Sequence, residues 1–135
     1  MTGKVLLVED SRLLRVAFKR ALSDAGYEVT EASDGEEALR QARQNEPDLI
    51  ILDMLLPRLG GERVLQCLRQ DPATARIPVL VLSSLPQSNE ERLKKDGAIA
   101  YVEKSKLDLT RGTDLVRVVD ATLVQAHRVH APALH

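Results

Sequence analysis

Three apolar runs punctuate the chain: Val5-Leu6-Leu7-Val8, Leu49-Ile50-Ile51-Leu52 and Val79-Leu80-Val81-Leu82. Each is too short for a buried helix and rich in β-formers, which predicts strands buried on both faces. Two further segments, Glu28-Val29-Thr30-Glu31-Ala32 and Ile99-Ala100-Tyr101-Val102, alternate apolar with polar residues. They suit the edges of a sheet, where one side meets water. Helical spacing fills the intervals between the strands. Leu14, Ala17, Phe18, Ala21, Leu22 and Ala25 form one stripe that stops at Gly26, a residue suited to a helix C-terminus. Ser33 with Glu36 makes a capping box ahead of Ala38, Leu39 and Ala42, and Asn45-Glu46-Pro47 ends that helix. Val64, Leu65 and Leu68 mark a third helix closed by Asp71-Pro72. Ser88 with Glu91 caps a short fourth ending at Gly97, and Leu115, Val116, Val118, Val119, Leu123 and Ala126 lie on a long fifth. Strands alternating with helices require crossover connections, hence a parallel sheet covered on both faces.

Composition adds bounds to this pattern. A chain of 135 residues is the size of one globular unit, here residues 1–126, and His-Arg-Val-His-Ala-Pro-Ala-Leu-His at 127–135 reads as a loose tail with no output domain. Aromatic residues make up only 2%, so the core is aliphatic, and the single Cys67 falls among Val64, Leu65 and Leu68 as a small core residue. A net charge of −1 with basic and acidic residues interspersed carries no electrostatic footprint for nucleic acid or an anionic membrane. The amino-terminal apolar run is too short for a signal sequence or a span, which predicts a cytoplasmic protein. Of the three histidines, His127 and His130 sit three apart, a weak metal pair in a tail.

In an open doubly wound sheet, ligands bind beyond the carboxyl ends of the strands. Those ends carry Glu9-Asp10, Asp53, Ser83-Ser84 and Glu103-Lys104. Three carboxylates, a hydroxyl and an ammonium are therefore expected at one edge. Crowded carboxylates need a compensating cation, and an all-oxygen set without His or Cys suits Mg²⁺. Beside such an ion a carboxylate can act as a nucleophile toward a phosphoryl group, and Asp53, mid-sheet, is the best placed. Lys104 and the Ser83 hydroxyl would then cover two phosphoryl oxygens. Taken singly, Asp10 or Ser11 could equally cap the first helix.

In this order the motifs resemble the receiver domains of two-component response regulators, across about residues 3 to 126. Val5-Leu6-Leu7-Val8-Glu9-Asp10 is similar to the family's first strand and acidic pair. Leu52-Asp53-Met54-Leu55-Leu56-Pro57 with Gly61 is similar to its phospho-acceptor loop, and Asp34-Gly35-Glu36-Glu37-Ala38-Leu39 to its second helix start. The resemblance implies a flavodoxin-like doubly wound five-stranded parallel sheet of order 2-1-3-4-5 with five helices. It implies Mg²⁺ held by Glu9, Asp10, Asp53 and the backbone carbonyl of Leu55, with Asp53 as phospho-acceptor and Lys104 contacting the phosphoryl group. Ser83 and Tyr101 would be the switch pair. The phosphoryl donor would be a histidine kinase or a histidine phosphotransfer protein. A downstream protein effector would read the face made by the fourth helix, fifth strand and fifth helix. The chain would be a switch rather than an enzyme, with at most self-phosphorylation from small phosphodonors and self-dephosphorylation.

Departures from the family pattern shape further expectations. Ser105 follows Lys104 where most relatives carry a proline, and residues 106–112 look longer than the usual join to the last helix. Leu55 and Leu85, two residues beyond Asp53 and Ser83, offer no polar side chain to orient a hydrolytic water, which predicts slow loss of the phosphoryl group. A hydrolase acting through aspartyl-phosphate would need a second acid where Leu55 stands, and a dinucleotide-binding domain would need a glycine-rich loop after the first strand. The alternative to a phospho-acceptor is a receiver-like binding module that works without phosphate.

Overall fold

The computed structural model describes residues 3–84, 90–107 and 113–130, the side chains of 113 and 128–130 excepted. Leu85, Ser88, the His130 side chain, residues 108–112 and the tail from 131 lie outside the described residues. Five parallel strands, β1 (Gly3–Val8), β2 (Tyr27–Ala32), β3 (Leu49–Leu52), β4 (Val79–Ser83) and β5 (Ala100–Glu103), form one sheet in the order β2-β1-β3-β4-β5. The helices are α1 (Arg12–Asp24), α2 (Gly35–Asn45), α3 (Gly61–Gln70), α4 (Glu90–Lys95) and α5 (Thr113–His130). This is the expected doubly wound architecture, with the two alternating segments at the edges.

The pleat explains the two-sided cover. Val5, Leu7, Leu49, Ile51, Leu80 and Leu82 point to one face and pack with Phe18 and Leu22 of α1 and Leu115, Val119 and Leu123 of α5. Their neighbours Leu6, Val8, Ile50, Leu52, Val79 and Val81 point to the other and meet α2, α3 and α4 through Ala38, Ala42, Val64, Leu65, Leu68 and Leu93. Both residue sets are buried, so the three central strands read as unbroken apolar runs rather than alternating ones.

Local chemistry sets the helix ends. The Ser11 hydroxyl caps α1 by accepting from the Leu14 N–H at 3.3 Å, and the chain leaves α1 through Gly26 at φ 100°. The cap of α2 is Asp34, whose carboxylate accepts from the Glu37 N–H at 2.9 Å. That shifts the expected Ser33–Glu36 box by one residue, because a carboxylate accepts from the backbone as well as a hydroxyl and also favours the positive helix end. Glu46 closes α2 in the left-handed region at φ 45°. The last helix runs on through His130, so residues 127–130, expected in the tail, are helical. Cys67 is only part-buried and is not among the residues of the core cluster that Val64, Leu65 and Leu68 join. Among the described residues, no helix is long and apolar enough to cross a membrane.

Candidate phosphoryl-accepting site

Because all five strands run the same way, the residues leaving β1, β3, β4 and β5 emerge at one edge. Register fixes them there: Val8 lies opposite Leu52, Leu52 opposite Val81, and Ser83 opposite Glu103. The Asp53 N–H donates to the Val8 carbonyl at 3.1 Å and the Glu9 N–H to the Ala32 carbonyl at 3.1 Å. Both acids thus leave the sheet while their backbones are still tied to it.

Glu9 and Asp53 are 2% and 5% exposed, and Lys104 bridges them. Its Nζ lies 2.6 Å from Glu9 Oε1 and 3.0 Å from Asp53 Oδ2. The other oxygen of each acid is also engaged: Glu9 Oε2 accepts from the Ser11 N–H at 3.0 Å, and Asp53 Oδ1 from the Leu55 N–H at 3.1 Å. Lys104 comes from a single 3₁₀ turn, Lys104–Lys106, directly after β5. Ser105 is exposed there, and its hydroxyl donates to Glu103 Oε2 at 3.3 Å.

Burial raises the pKa of Glu9; the Lys104 hydrogen bond and the Ser11 N–H oppose the rise, while the Asp53 charge adds to it. Burial also works against the Lys104 charge, but the bond to Glu9 and the charges of Asp53 and Glu9 outweigh it, and its pKa ends above the ordinary lysine value. One ammonium thus faces two carboxylates and compensates them incompletely.

Asp10 does not join them. It is exposed, and among the described residues no three acids, histidines or cysteines gather closely enough to hold a metal ion. The expected triple cluster is a buried pair plus an acid at the rim, since Asp10 sits one residue further into the turn toward α1 and no strand hydrogen bond draws it inward. Ser83 is fully buried at the end of β4, while Ser84 is exposed. Tyr101 is 3% exposed and belongs to the core cluster with Val79, Val81 and Leu93. A half-exposed edge aromatic is thereby excluded, because β5 is an edge strand whose inner face lies against α4. The Leu55 side chain is 56% exposed at the rim beside Asp53.

The donor set fits a hard divalent ion on chemical grounds. It is all oxygen, and two carboxylates against one ammonium leave surplus negative charge.

Three neighbours of the site show their part only in the folded chain. Gly35 and Gly61 are places of close approach: a Cβ at Gly35 would stand 2.2 Å from the Leu59 carbonyl oxygen, and one at Gly61 2.4 Å from that of Asp53. The loop from Asp53 to Gly60 is thereby pressed against the starts of α2 and α3. Within it Arg58 takes φ 66°, and the Leu59 N–H donates to the Pro57 carbonyl at 2.7 Å. The third neighbour, Arg15, looks like an ordinary polar-face residue of an amphipathic helix, yet it reaches back to the acidic turn.

Comparison with known proteins agrees with this geometry. The family model described as "Response regulator receiver domain" matches residues 5–116. The polar-differentiation response regulator DivK of Brucella ovis is 36% identical over 105 residues, covering 77% of this chain and 85% of the relative. The gliding motility regulatory protein of Myxococcus xanthus is 42% identical over 105 residues, 77% of this chain, but the match spans only 14% of that relative's length. Among solved structures, the chemotaxis response regulator CheY4 of Vibrio cholerae superposes with TM-score 0.77 at 30% identity, covering 88% of this chain and 99% of the other. A phosphorylated cyanobacterial phytochrome response regulator, RcpA, gives TM-score 0.77 at 31% identity over 92% and 95% of the two chains. With the family model spanning most of the chain and the same sheet order in hand, the protein belongs to the response regulator receiver domain family.

Proposed function

We propose that this receiver takes a phosphoryl group onto Asp53 from a histidine kinase or histidine phosphotransfer protein, with Mg²⁺ at the acidic edge. The observation that carries the reading is the Glu9–Lys104–Asp53 bridge, a buried acid pair held by one lysine at the end of three parallel strands. In the transfer an Asp53 carboxylate oxygen forms a bond to phosphorus as the phosphorus–nitrogen bond of phosphohistidine breaks and the imidazole nitrogen leaves with the electron pair. Asp53 Oδ1 accepts from the Leu55 N–H and Oδ2 from Lys104, so the carboxylate is fixed in orientation before a donor arrives. Lys104 supplies positive charge to the transferred group, and the Ser83 hydroxyl at the neighbouring strand end would donate to it. Glu9, Asp53, Asp10 and the Leu55 carbonyl are the groups that would hold Mg²⁺, which when bound neutralises charge on acids and phosphoryl oxygens.

Phosphorylation then biases a two-state equilibrium in which Ser83 and Tyr101 shift, and a cytoplasmic protein effector reads the face of α4, β5 and α5. The test is intact mass after incubation with Mg²⁺ and acetyl phosphate. One added phosphoryl mass in the wild type, abolished by Asp53→Asn and by chelation, supports the reading. No adduct under saturating donor would leave a binding module that works without phosphate.

A further inference from the structure

The acidic turn between β1 and α1 carries Asp10, which is exposed and makes no side-chain hydrogen bond or ion pair among the described residues. Its main chain, however, is held. Arg15 Nη1 donates to the Glu9 carbonyl at 2.9 Å and to the Asp10 carbonyl at 3.3 Å, so one nitrogen spends both hydrogens on consecutive residues. The same guanidinium is anchored from behind: its Nε lies 3.7 Å from Glu31 Oε1 on β2, and the Arg15 side chain is only 19% exposed. Lys19, one turn further along α1, meets the other oxygen of Glu31 at 3.2 Å.

We infer that Arg15 is a positioning residue for the acidic turn: its guanidinium fixes the backbone at Glu9 and Asp10 so that their carboxylates are presented to a cation without having to be ordered first. The physical reason lies in the turn itself. Side-chain oxygens bind a small ion well only when the chain that carries them is fixed in advance, and outer groups that orient ligands set much of the affinity. Around Asp10 no β-ladder performs that service, since the strand bonds end at the Glu9 N–H. Planar geometry lets Arg15 face two carbonyls and one carboxylate together.

This role makes a prediction opposite in sign to that of simple charge. Arg15 brings a positive charge close to the acidic turn, so its removal should tighten Mg²⁺ if charge alone mattered. Positioning predicts the reverse. The inference rests on the metal-assisted reading of the site, so the experiment includes one measurement without metal.

Titration of MgCl₂ into the full chain by calorimetry would compare wild type, Arg15→Gln and Lys19→Gln, the last removing an equal charge from the same helix face, where its ammonium pairs with Glu31. Arg15→Gln is expected to weaken Mg²⁺ about 10-fold, the lower end of the range for ligand-orienting groups. Lys19→Gln should stay within about twofold of wild type, as befits an exposed ion pair. In metal-free protein, amide hydrogen exchange at Ser11, whose N–H donates to Glu9, should speed up in Arg15→Gln while core strand amides keep their protection. Equal or tighter Mg²⁺ binding in Arg15→Gln, an equal loss in Lys19→Gln, or unchanged Ser11 exchange would each overturn the inference. Wild-type protein that fails to bind Mg²⁺ at all would instead remove the metal-assisted reading, with faster Ser11 exchange in Arg15→Gln still marking the clamp on the turn.

Discussion

Adjacent glycines at the start of α3 offer a demanding check of how Asp53 is held. Gly60 is the N-cap, and a Cβ built there would meet nothing within 4 Å. At Gly61 the same atom would lie 2.4 Å from the Asp53 carbonyl oxygen, 2.6 Å from Met54 Cα and 2.9 Å from Met54 Cε. The first two are backbone atoms of the strand exit, so relief requires α3 to move away from β3 rather than a side chain to turn. Overpacking of a closed contact costs about 1–3 kcal/mol, and a backbone obstacle belongs at the upper end, near 3. Alanine returns about 1 kcal/mol as a better helix former. Gly61→Ala should therefore lose about 2 kcal/mol, or about 6–10 °C in Tm at this chain length. Gly60→Ala should lose about 0.5 kcal/mol, the scale of a weakened N-cap. Urea unfolding with a shared m-value would measure both, and acetyl phosphate uptake should fall only in Gly61→Ala, whose displaced strand exit carries the acceptor. Equal stability of the two variants would refute the close-approach reasoning.

Other outcomes follow from single groups. Glu9 has a pKa raised above its ordinary 4.5, so the stability it contributes is complete below about that pH and is lost as pH climbs through the folded value. Without Mg²⁺, the Tm advantage of Glu9→Gln over wild type should accordingly be larger near neutral pH than in acid, and a constant difference across paired thermal melts would contradict this. Tyr27, whose hydroxyl donates to Asp120, ties β2 to α5, and burial together with that carboxylate pushes the phenol pKa upward. Tyr27→Phe should cost about 1.5–3 kcal/mol in urea unfolding, as expected for a bond to a charged acceptor; a neutral result would show that the bond contributes nothing. Leu55→Asn, placing an amide at the exposed rim beside Asp53, should shorten the lifetime of the phosphoryl group by helping to orient water. Loss of bound ³²P followed over time would register it, and an unchanged lifetime would count against the rim as the reason for slow hydrolysis.

Periodicity made the fold legible because each element had a different signature. Unbroken apolar runs marked β1, β3 and β4, alternation marked the edges β2 and β5, and the helical stripes between them left only one sheet class. Details that depend on one atom were less visible. Ser33 and Asp34 are both good caps, and only the backbone direction at Asp34 decided between them. The reach of α5 past Ala126 was hidden because His127 and Arg128 break the apolar stripe without breaking the helix.

The site followed the same division. Strand ends are set by topology, so the meeting of Glu9, Asp53 and Lys104 could be expected from where the apolar runs stop. The exposure of Asp10 could not, since it depends on where the last strand hydrogen bond falls. Arg15 was silent for a different reason: an arginine on a helix face is common, and nothing in its spacing says that it turns back to the carbonyls of Glu9 and Asp10.

The central claim is that Asp53 itself is the acceptor, and the most direct test locates the phosphoryl group chemically. Protein treated with acetyl phosphate and Mg²⁺ would be reduced with borohydride, which converts an aspartyl-phosphate to homoserine, and digested for peptide mass spectrometry. The account predicts homoserine at position 53 and at no other acid. Homoserine at Asp10, or a phosphoryl group that resists borohydride on Ser83 or Ser84, would contradict it.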